Sequence, residues 1–203
     1  MSRKPALHTI ILAAGASRRF GSPKQLVRWE GQVLIQRVVA AATELTGAAV
    51  TIVLGAHAAE IASNLPSGSA SIVVNRGWQE GIASSIRAGV ARLPGACGGV
   101  LIMLADQPLV GGNNLRRLAA AWQRQPRSVV ASRYGATTGV PAIFPRWCFG
   151  DLAALRGDQG ARLLIRRYAD HVVRMSMPEA AVDIDYPEDL LELHQPGDAT
   201  PSA

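Results

Sequence analysis

Four short stretches constrain the fold most: Thr9–Ala14 ("TIILAA"), Ala49–Gly55 ("AVTIVLG"), Ser71–Asn75 ("SIVVN") and Gly99–Ala105 ("GVLIMLA"). Each is dense in β-branched and aliphatic side chains without in–out alternation, the texture of strands covered on both faces. Amphipathic segments separate them. In Val33–Leu45 the apolar positions Leu34, Ile35, Val38, Val39, Ala42 and Leu45 share one face, and in Ile82–Leu93 the set Ile82, Ile86, Val90 and Leu93 does the same. Strand, helix, strand, helix predicts an α/β fold: a Rossmann-like three-layer sandwich whose mostly parallel sheet carries helices on both faces. Right-handed crossovers follow, and ligands are expected beyond the carboxyl ends of the strands.

After about residue 127 the rhythm loosens. "SVVASRY" and "GVPAIF" read as strands joined by a glycine- and threonine-bearing loop, "CFGDLAAL" and "GARLLIRRYA" as helical, and "HVVRMS" as extended. "PEDLLELH" reads as a closing helix with proline in its first turn. No internal repeat or linker interrupts the chain, so residues 1–203 are expected to form one domain, with a core over about 8–194 and a flexible tail over 195–203. A chain of 203 residues buries enough surface to need no staples.

Composition narrows the function classes. The two cysteines, Cys97 and Cys148, give no disulfide framework and read as small apolar fillers, which suits a reducing cytoplasm. The basic start of the chain leads into an apolar core of only about Ile10–Ala14, short for an export signal, and no run reaches membrane-helix length. A net charge of +6 invites a nucleic-acid reading, but the arginines are scattered and few aromatics accompany them. A small, highly anionic substrate fits that charge better. His8, His57, His171 and His194 show no metal-ligand spacing. Trp78 reads as packing, and Arg166 and Arg167 as the solvated face of a helix.

The chemistry concentrates after the first strand. "LAAGASRRFG", Leu12–Gly21, is followed by Lys24, and Lys4 and Lys24 are the only lysines among 21 basic residues. A glycine-bearing turn with bare N–H groups suits phosphate, and lysine adds a compact point charge. The spacing fits neither a Walker A loop nor a dinucleotide fingerprint. A looser loop that wraps a triphosphate remains. From Gly81 to Gly150 one acid occurs, Asp106, just past the most apolar strand. Alone it reads as a turn or helix-cap residue ahead of Pro108. Opposite a cationic loop it suits Mg²⁺, which takes one or two carboxylates and fills its shell with phosphate oxygens and water. "DIDYPEDL" offers a second acid, Asp183 or Asp185, whereas Glu188 and Asp189 read as first-turn helix acids.

Together these residues resemble the molybdenum cofactor cytidylyltransferase type, within the wider nucleotidyltransferases that act on cofactors and sugar phosphates. The family opening L-A-A-G-x-S-x-R-M-G corresponds to Leu12–Gly21, with Phe20 in place of methionine, Arg19 as the conserved arginine and Arg18 as its variable neighbour. The N-x-x-W-x-x-G-x-x-x-S segment appears as Asn75, Trp78, Gly81 and Ser85, and D-x-P as Asp106, Gln107 and Pro108. "GVPAIF", "GDQGAR" and "DIDYPEDL" look like the subgroup's later markers, so the resemblance covers about residues 8–194.

The resemblance implies a fold of the nucleotide-diphospho-sugar transferase type and Mg²⁺-dependent transfer from CTP to the phosphate of a molybdopterin-type cofactor. Catalytic roles fall to Lys24, Arg19 and Asp106. Nucleotide binding falls to Leu12, Ala13, Ala14, Gly15, Ala16, Ser17, Arg19, Lys24, Gly81 and Ser85. Metal binding falls to Asp106 with Asp185 or Asp183, and acceptor contacts to Gly139, Pro141, Asp158 and Arg162. A molybdoenzyme or its chaperone is the implied recipient. Ala14 stands where guanylyltransferases commonly carry glycine, and its methyl favours the smaller base, CTP, by about 1–3 kcal/mol at most. The competing readings are GTP or another phosphorylated acceptor, a non-catalytic cofactor carrier, and a reductase on the same scaffold.

Overall fold

The computed structural model describes residues 5–194. Strand β1 (Ala6–Ala13) leads through the cationic loop to a small ribbon, β2 (Arg28–Trp29) and β3 (Gln32–Val33), and then to helix α1 (Leu34–Thr46). Next come β4 (Val50–Leu54), α2 (Ala58–Ser63), β5 (Ser71–Val74), α3 (Ile82–Val90), β6 (Cys97–Leu104) and α4 (Gly112–Arg124). The second half contributes β7 (Val129–Tyr134), β8 (Thr137–Pro145), α5 (Phe149–Ala154), α6 (Arg162–Arg167), β9 (Val172–Ser176) and α7 (Pro187–His194).

Seven strands form one sheet in the order β5-β4-β1-β6-β8-β7-β9, and β8 runs opposite to the other six. β1 lies between β4 and β6 in parallel register, with Leu12 opposite both Val53 and Leu104. The mostly parallel α/β sheet expected from the apolar runs is therefore what forms. Successive β1 side chains feed opposite cores. Ile11 and Ala13 pack towards α1, α2 and α4, with Ile35, Ile61, Leu118 and Trp122. Ile10 and Leu12 pack towards α3, α5 and α6, with Ile86, Leu152 and Leu164.

Three features differ from the sequence reading. β5 is an edge strand, not a doubly covered one, and Ile72 and Val74, which share one of its faces, are exposed. α4 was not anticipated, although Leu115, Leu118, Ala119 and Trp122 keep helical spacing. The helix read over "GARLLIRRYA" is confined to Arg162–Arg167, with a tight helical turn (Ala169–His171) after it. The expected tail, 195–203, lies outside the described residues.

β1 and β6 are parallel neighbours, so their carboxyl ends open on the same rim. The backbone there is fastened across the chain: Ala105 N–H donates to Leu12 O at 3.1 Å, and Ile184 N–H to Asp106 O at 3.0 Å. This juxtaposes the residues after β1, the residues after β6 and a segment near residue 184.

Candidate active site

The loop after β1 turns through Ser17, which adopts left-handed backbone (φ 51°) and accepts from Phe20 N–H and Gly21 N–H through its carbonyl. Its hydroxyl accepts from the Lys24 amide at 3.3 Å. Gln25, only 3 % exposed, reaches back from inside, its amide 3.4 Å from the carbonyls of Ala13 and Gly15. A buried amide thus shapes the loop from beneath, a role that one polar letter in the sequence could not announce.

Lys24 extends to the rim. Its ammonium lies 2.7 Å from Asp106 Oδ2 and 2.8 Å from Asp185 Oδ1. Burial lowers the affinity of this ammonium for its proton, but the Asp106 charge and hydrogen bond, joined by Asp185, outweigh it and raise the pKa. Arg19 reaches Asp185 Oδ2 at 3.4 Å and lies over the Tyr186 ring. The predicted trio Arg19, Lys24 and Asp106 therefore meets, and Asp185 joins it. Asp106 Oδ1 is buried with no hydrogen-bond partner. An ionised oxygen left so is costly unless a cation satisfies it.

That orphan, with a second carboxylate sharing the same lysine, fits a divalent ion held by one or two carboxylates. No group of three or more His, Cys, Asp or Glu suited to a metal occurs among the described residues. Asp183 turns elsewhere, lining an apolar cavity rather than the Lys24 pocket. Burial, then the Asp106 charge and more weakly that of Asp185, push its carboxyl up to about 6, against the downward pull of Gln107 and Lys24. Gln107, 2 % exposed, donates to Ala180 O at 2.8 Å and anchors the chain segment that delivers Asp183 and Asp185.

Three cavities meet here, and Leu12 lines all of them. The first, about 300 Å³, is cationic and includes Ala13, Gly15, Ser17, Arg18, Arg19, Lys24, Asp106 and Asp185. A central cavity of about 440 Å³ is bounded by Ala14, Gly15, Arg18, Trp78, Gly81, Ser85, Asp106 and Asp158. An apolar cavity of about 550 Å³ is walled by Ile82, Ile86, Leu104, Gly139, Val140 and Leu163, with Gln107, Tyr134, Asp158, Gln159, Arg162, Arg166 and Asp183 as its polar members.

Local chemistry sets the walls. Gly81 has φ 111°, and a β-carbon there would lie 2.4 Å from Asp158 Oδ1 and from Gly157 O. A β-carbon on Gly139 would meet the Tyr134 hydroxyl at 2.5 Å. Asn75 donates to Ser84 Oγ at 2.8 Å and Ser85 Oγ at 3.1 Å, orienting both hydroxyls. The turn carrying Asp158 is clipped to the start of α3: Ala83 N–H donates to Gly157 O at 3.1 Å, and Arg87 donates to Leu155 O at 2.8 Å while gripping Glu80 with both terminal nitrogens.

Two predicted site residues stand apart from all three cavities. Ala16 lies on the loop without lining any of them, and Pro141 is buried within β8, its carbonyl accepting from the Ser132 hydroxyl at 2.6 Å. Others take part unannounced. Trp78, read as packing, lines the central cavity; Arg18, read as a variable neighbour, lines two; Arg166, read as a solvated helix face, lines the apolar one. Ala14 is 7 % exposed, and its methyl is turned partly against Gly55.

A parallel sheet whose carboxyl rim joins a phosphate-suited loop to a strand-end aspartate defines an α/β nucleotidyltransferase. The chain belongs to the MobA-like NTP transferase family, whose domain matches residues 9–172. It is 29% identical to nicotine blue oxidoreductase of Paenarthrobacter nicotinovorans over 202 residues, covering 93% of this chain and 97% of that protein. The crystal structure of Rv0371c from Mycobacterium tuberculosis H37Rv superposes with a TM-score of 0.81 at 28% identity, covering 94% of this chain and 98% of that one. A structure of Rv0371c in complex with manganese superposes at 0.76 and 26% identity, covering 92% and 97%. Among the described residues no helix is long and apolar enough to cross a membrane.

Proposed function

We propose that this nucleotidyltransferase moves a cytidylyl group from CTP to the phosphate of a molybdopterin-type acceptor, with Mg²⁺ as its ion. The observation that carries the reading is the junction of the three cavities, with Asp106 shared by the cationic and central ones. The triphosphate belongs in the cationic pocket, the nucleoside in the central cavity, and the acceptor in the apolar one. Manganese in the Rv0371c complex supports a divalent ion here.

In the reaction an oxygen of the acceptor phosphate forms a bond to the α-phosphorus. The bond from that phosphorus to the bridging oxygen breaks, and pyrophosphate leaves with the electron pair. The nucleophile is already anionic near neutral pH, so alignment and charge neutralisation carry the work rather than a general base. Backbone N–H groups from Gly15 to Ser17, with Arg19 and Lys24, hold the β- and γ-phosphates and the departing pyrophosphate. A bound Mg²⁺ would neutralise charge at the α-phosphate, with Asp106 and Asp185 as its carboxylates. Asp183, inside the apolar cavity, faces the acceptor instead. Gly81, Ser85 and Trp78 frame the nucleoside, and Ala14 trims the space beside it. The product would pass to a molybdoenzyme or its chaperone, in a cytoplasm where the buried thiols of Cys97 and Cys148 stay reduced.

Incubation with each NTP, Mg²⁺ and candidate acceptors, following pyrophosphate release, tests the reading. CTP with molybdopterin should be the fastest pair. Faster turnover with GTP would move the activity to guanylyl transfer, and faster turnover with a sugar phosphate would change the acceptor class. Pterin binding without pyrophosphate from any pair would make the protein a carrier. The similarity to nicotine blue oxidoreductase makes a reductase the reading to set against this one. Saturable NAD(P)H binding without nucleotide turnover would replace the transfer reaction.

A further inference from the structure

We propose a second anion-binding site beside the apolar cavity, built by Arg162, Arg166 and Arg174 and suited to a phosphate-class oxyanion. These three line a separate groove of about 370 Å³ with Thr137 and Thr138, and Arg162 and Arg166 also line the apolar cavity, so the two spaces are neighbours.

The charge there is uncompensated. Four other arginines are matched with acids: Arg37 with Glu30, Arg87 with Glu80, Arg116 with Glu44, and Arg167, on the same helix, with Asp151. Among the described residues no carboxylate lies within ion-pair distance of Arg162, Arg166 or Arg174. Arg174 Nη2 lies 3.5 Å from Ala169 O, at the groove's edge. Three guanidinium groups around one groove repel each other, and a shared oxyanion with several acceptor oxygens removes that penalty while using their planar donor forks. Two threonine hydroxyls add neutral donors.

Arg162 and Arg166 line both this groove and the apolar cavity, which Asp183 also lines. We assign to the groove an anionic group of the acceptor. That assignment to the acceptor rests on the proposed function; the anion site itself does not.

The test is calorimetric titration of the full chain with inorganic phosphate, under saturating CTP and Mg²⁺ so that the cationic pocket is filled. One saturable phosphate site is expected. Arg174→Gln should weaken it at least tenfold, Arg174→Lys should restore part of the affinity, and Arg166→Gln should weaken it similarly without touching Arg174. Affinity for CTP should stay within about twofold in all three. In turnover, Arg174→Gln should raise KM for the acceptor with kcat within about threefold. Equal phosphate affinity in the parent, Arg174→Gln and Arg166→Gln proteins overturns the site. If no acceptor is cytidylylated but phosphate binding still depends on Arg174, the proposed function falls and the anion site stands.

Discussion

At the β1 end of the cleft, Lys24 is held between Asp106 and Asp185, and Arg19 adds a weaker link to the same acid. At the α6 end, Arg162, Arg166 and Arg174 share a groove with no acid in reach among the described residues. The first region has its countercharges built in, so a ligand entering it exchanges partners rather than supplying new ones. The second presents bare charge, so affinity there depends on what arrives. Substitutions at the β1 end should therefore strike turnover, and those towards the α6 end should strike acceptor affinity.

Asp106→Ala should produce the largest effect. Losing one preorganised charge at the reacting phosphates costs roughly 10²–10³ in rate, and on the proposed function Asp106 also holds the ion, so single-turnover pyrophosphate release should fall by at least that factor. The melting temperature should stay near that of the parent. Near-normal turnover with Mg²⁺ would remove Asp106 from the metal site and dissolve the contrast between the two ends.

Lys24→Met comes next. A drop on the order of 10²-fold in kcat/KM for CTP is expected, with an acceptor KM little changed. The variant also leaves the Asp106 and Asp185 carboxylates facing each other, so Mg²⁺ should raise its melting temperature more than it raises the parent's, as thermal denaturation across a Mg²⁺ series would reveal. Unfolding as severe as the kinetic loss would make Lys24 a structural residue.

Arg87→Gln probes the join between the ends, since Arg87 ties the Asp158 turn to α3. A misplaced turn should raise the acceptor KM by roughly tenfold, well within what an ångström of misalignment can cost. The KM for CTP should move less. Equal changes in both would show that the clip serves the whole cleft.

The smallest effect concerns pH. Asp183 titrates near 6 in the folded protein, above its ordinary 3.8, so between these values the native carboxyl keeps a proton that the unfolded chain has lost. The stability this contributes is full below about 4 and is lost as pH rises through about 6. Asp183→Asn should flatten that segment of the stability–pH profile, measured by urea denaturation without Mg²⁺. An unchanged slope would mean that neither burial nor the acidic neighbours raise the Asp183 carboxyl.

Much of this was legible in the chain itself. β1, β4 and β6 declare themselves because central strands are apolar on both faces, and Leu12–Gly21 with Asp106 stands out against a background almost free of acids. Edge position leaves no such trace: Ile72 and Val74 carry the same letters as buried strand residues yet face solvent. α4 keeps a regular apolar period at Leu115, Leu118, Ala119 and Trp122, with Arg116, Arg117 and Gln123 on its exposed face, so its signal too is present in the chain. The choice between Asp183 and Asp185 could not be read either. Two residues apart, they line different cavities, and only the strap over β6 determines which one meets Lys24.

That strap has a wider consequence. The stretch matching the family ends at residue 172, and the sheet's last strand ends at Ser176, so both acids ride on an extension hooked to Asp106 O and to the Gln107 side chain. A chain cut after Val182 would retain every strand of the sheet and the entire cationic loop after β1, yet would lose the second carboxylate beside Lys24. On the proposed function, exchanging the segment after Val182 would change which carboxylates meet the ion and the acceptor while leaving the sheet and the β1 loop as they are.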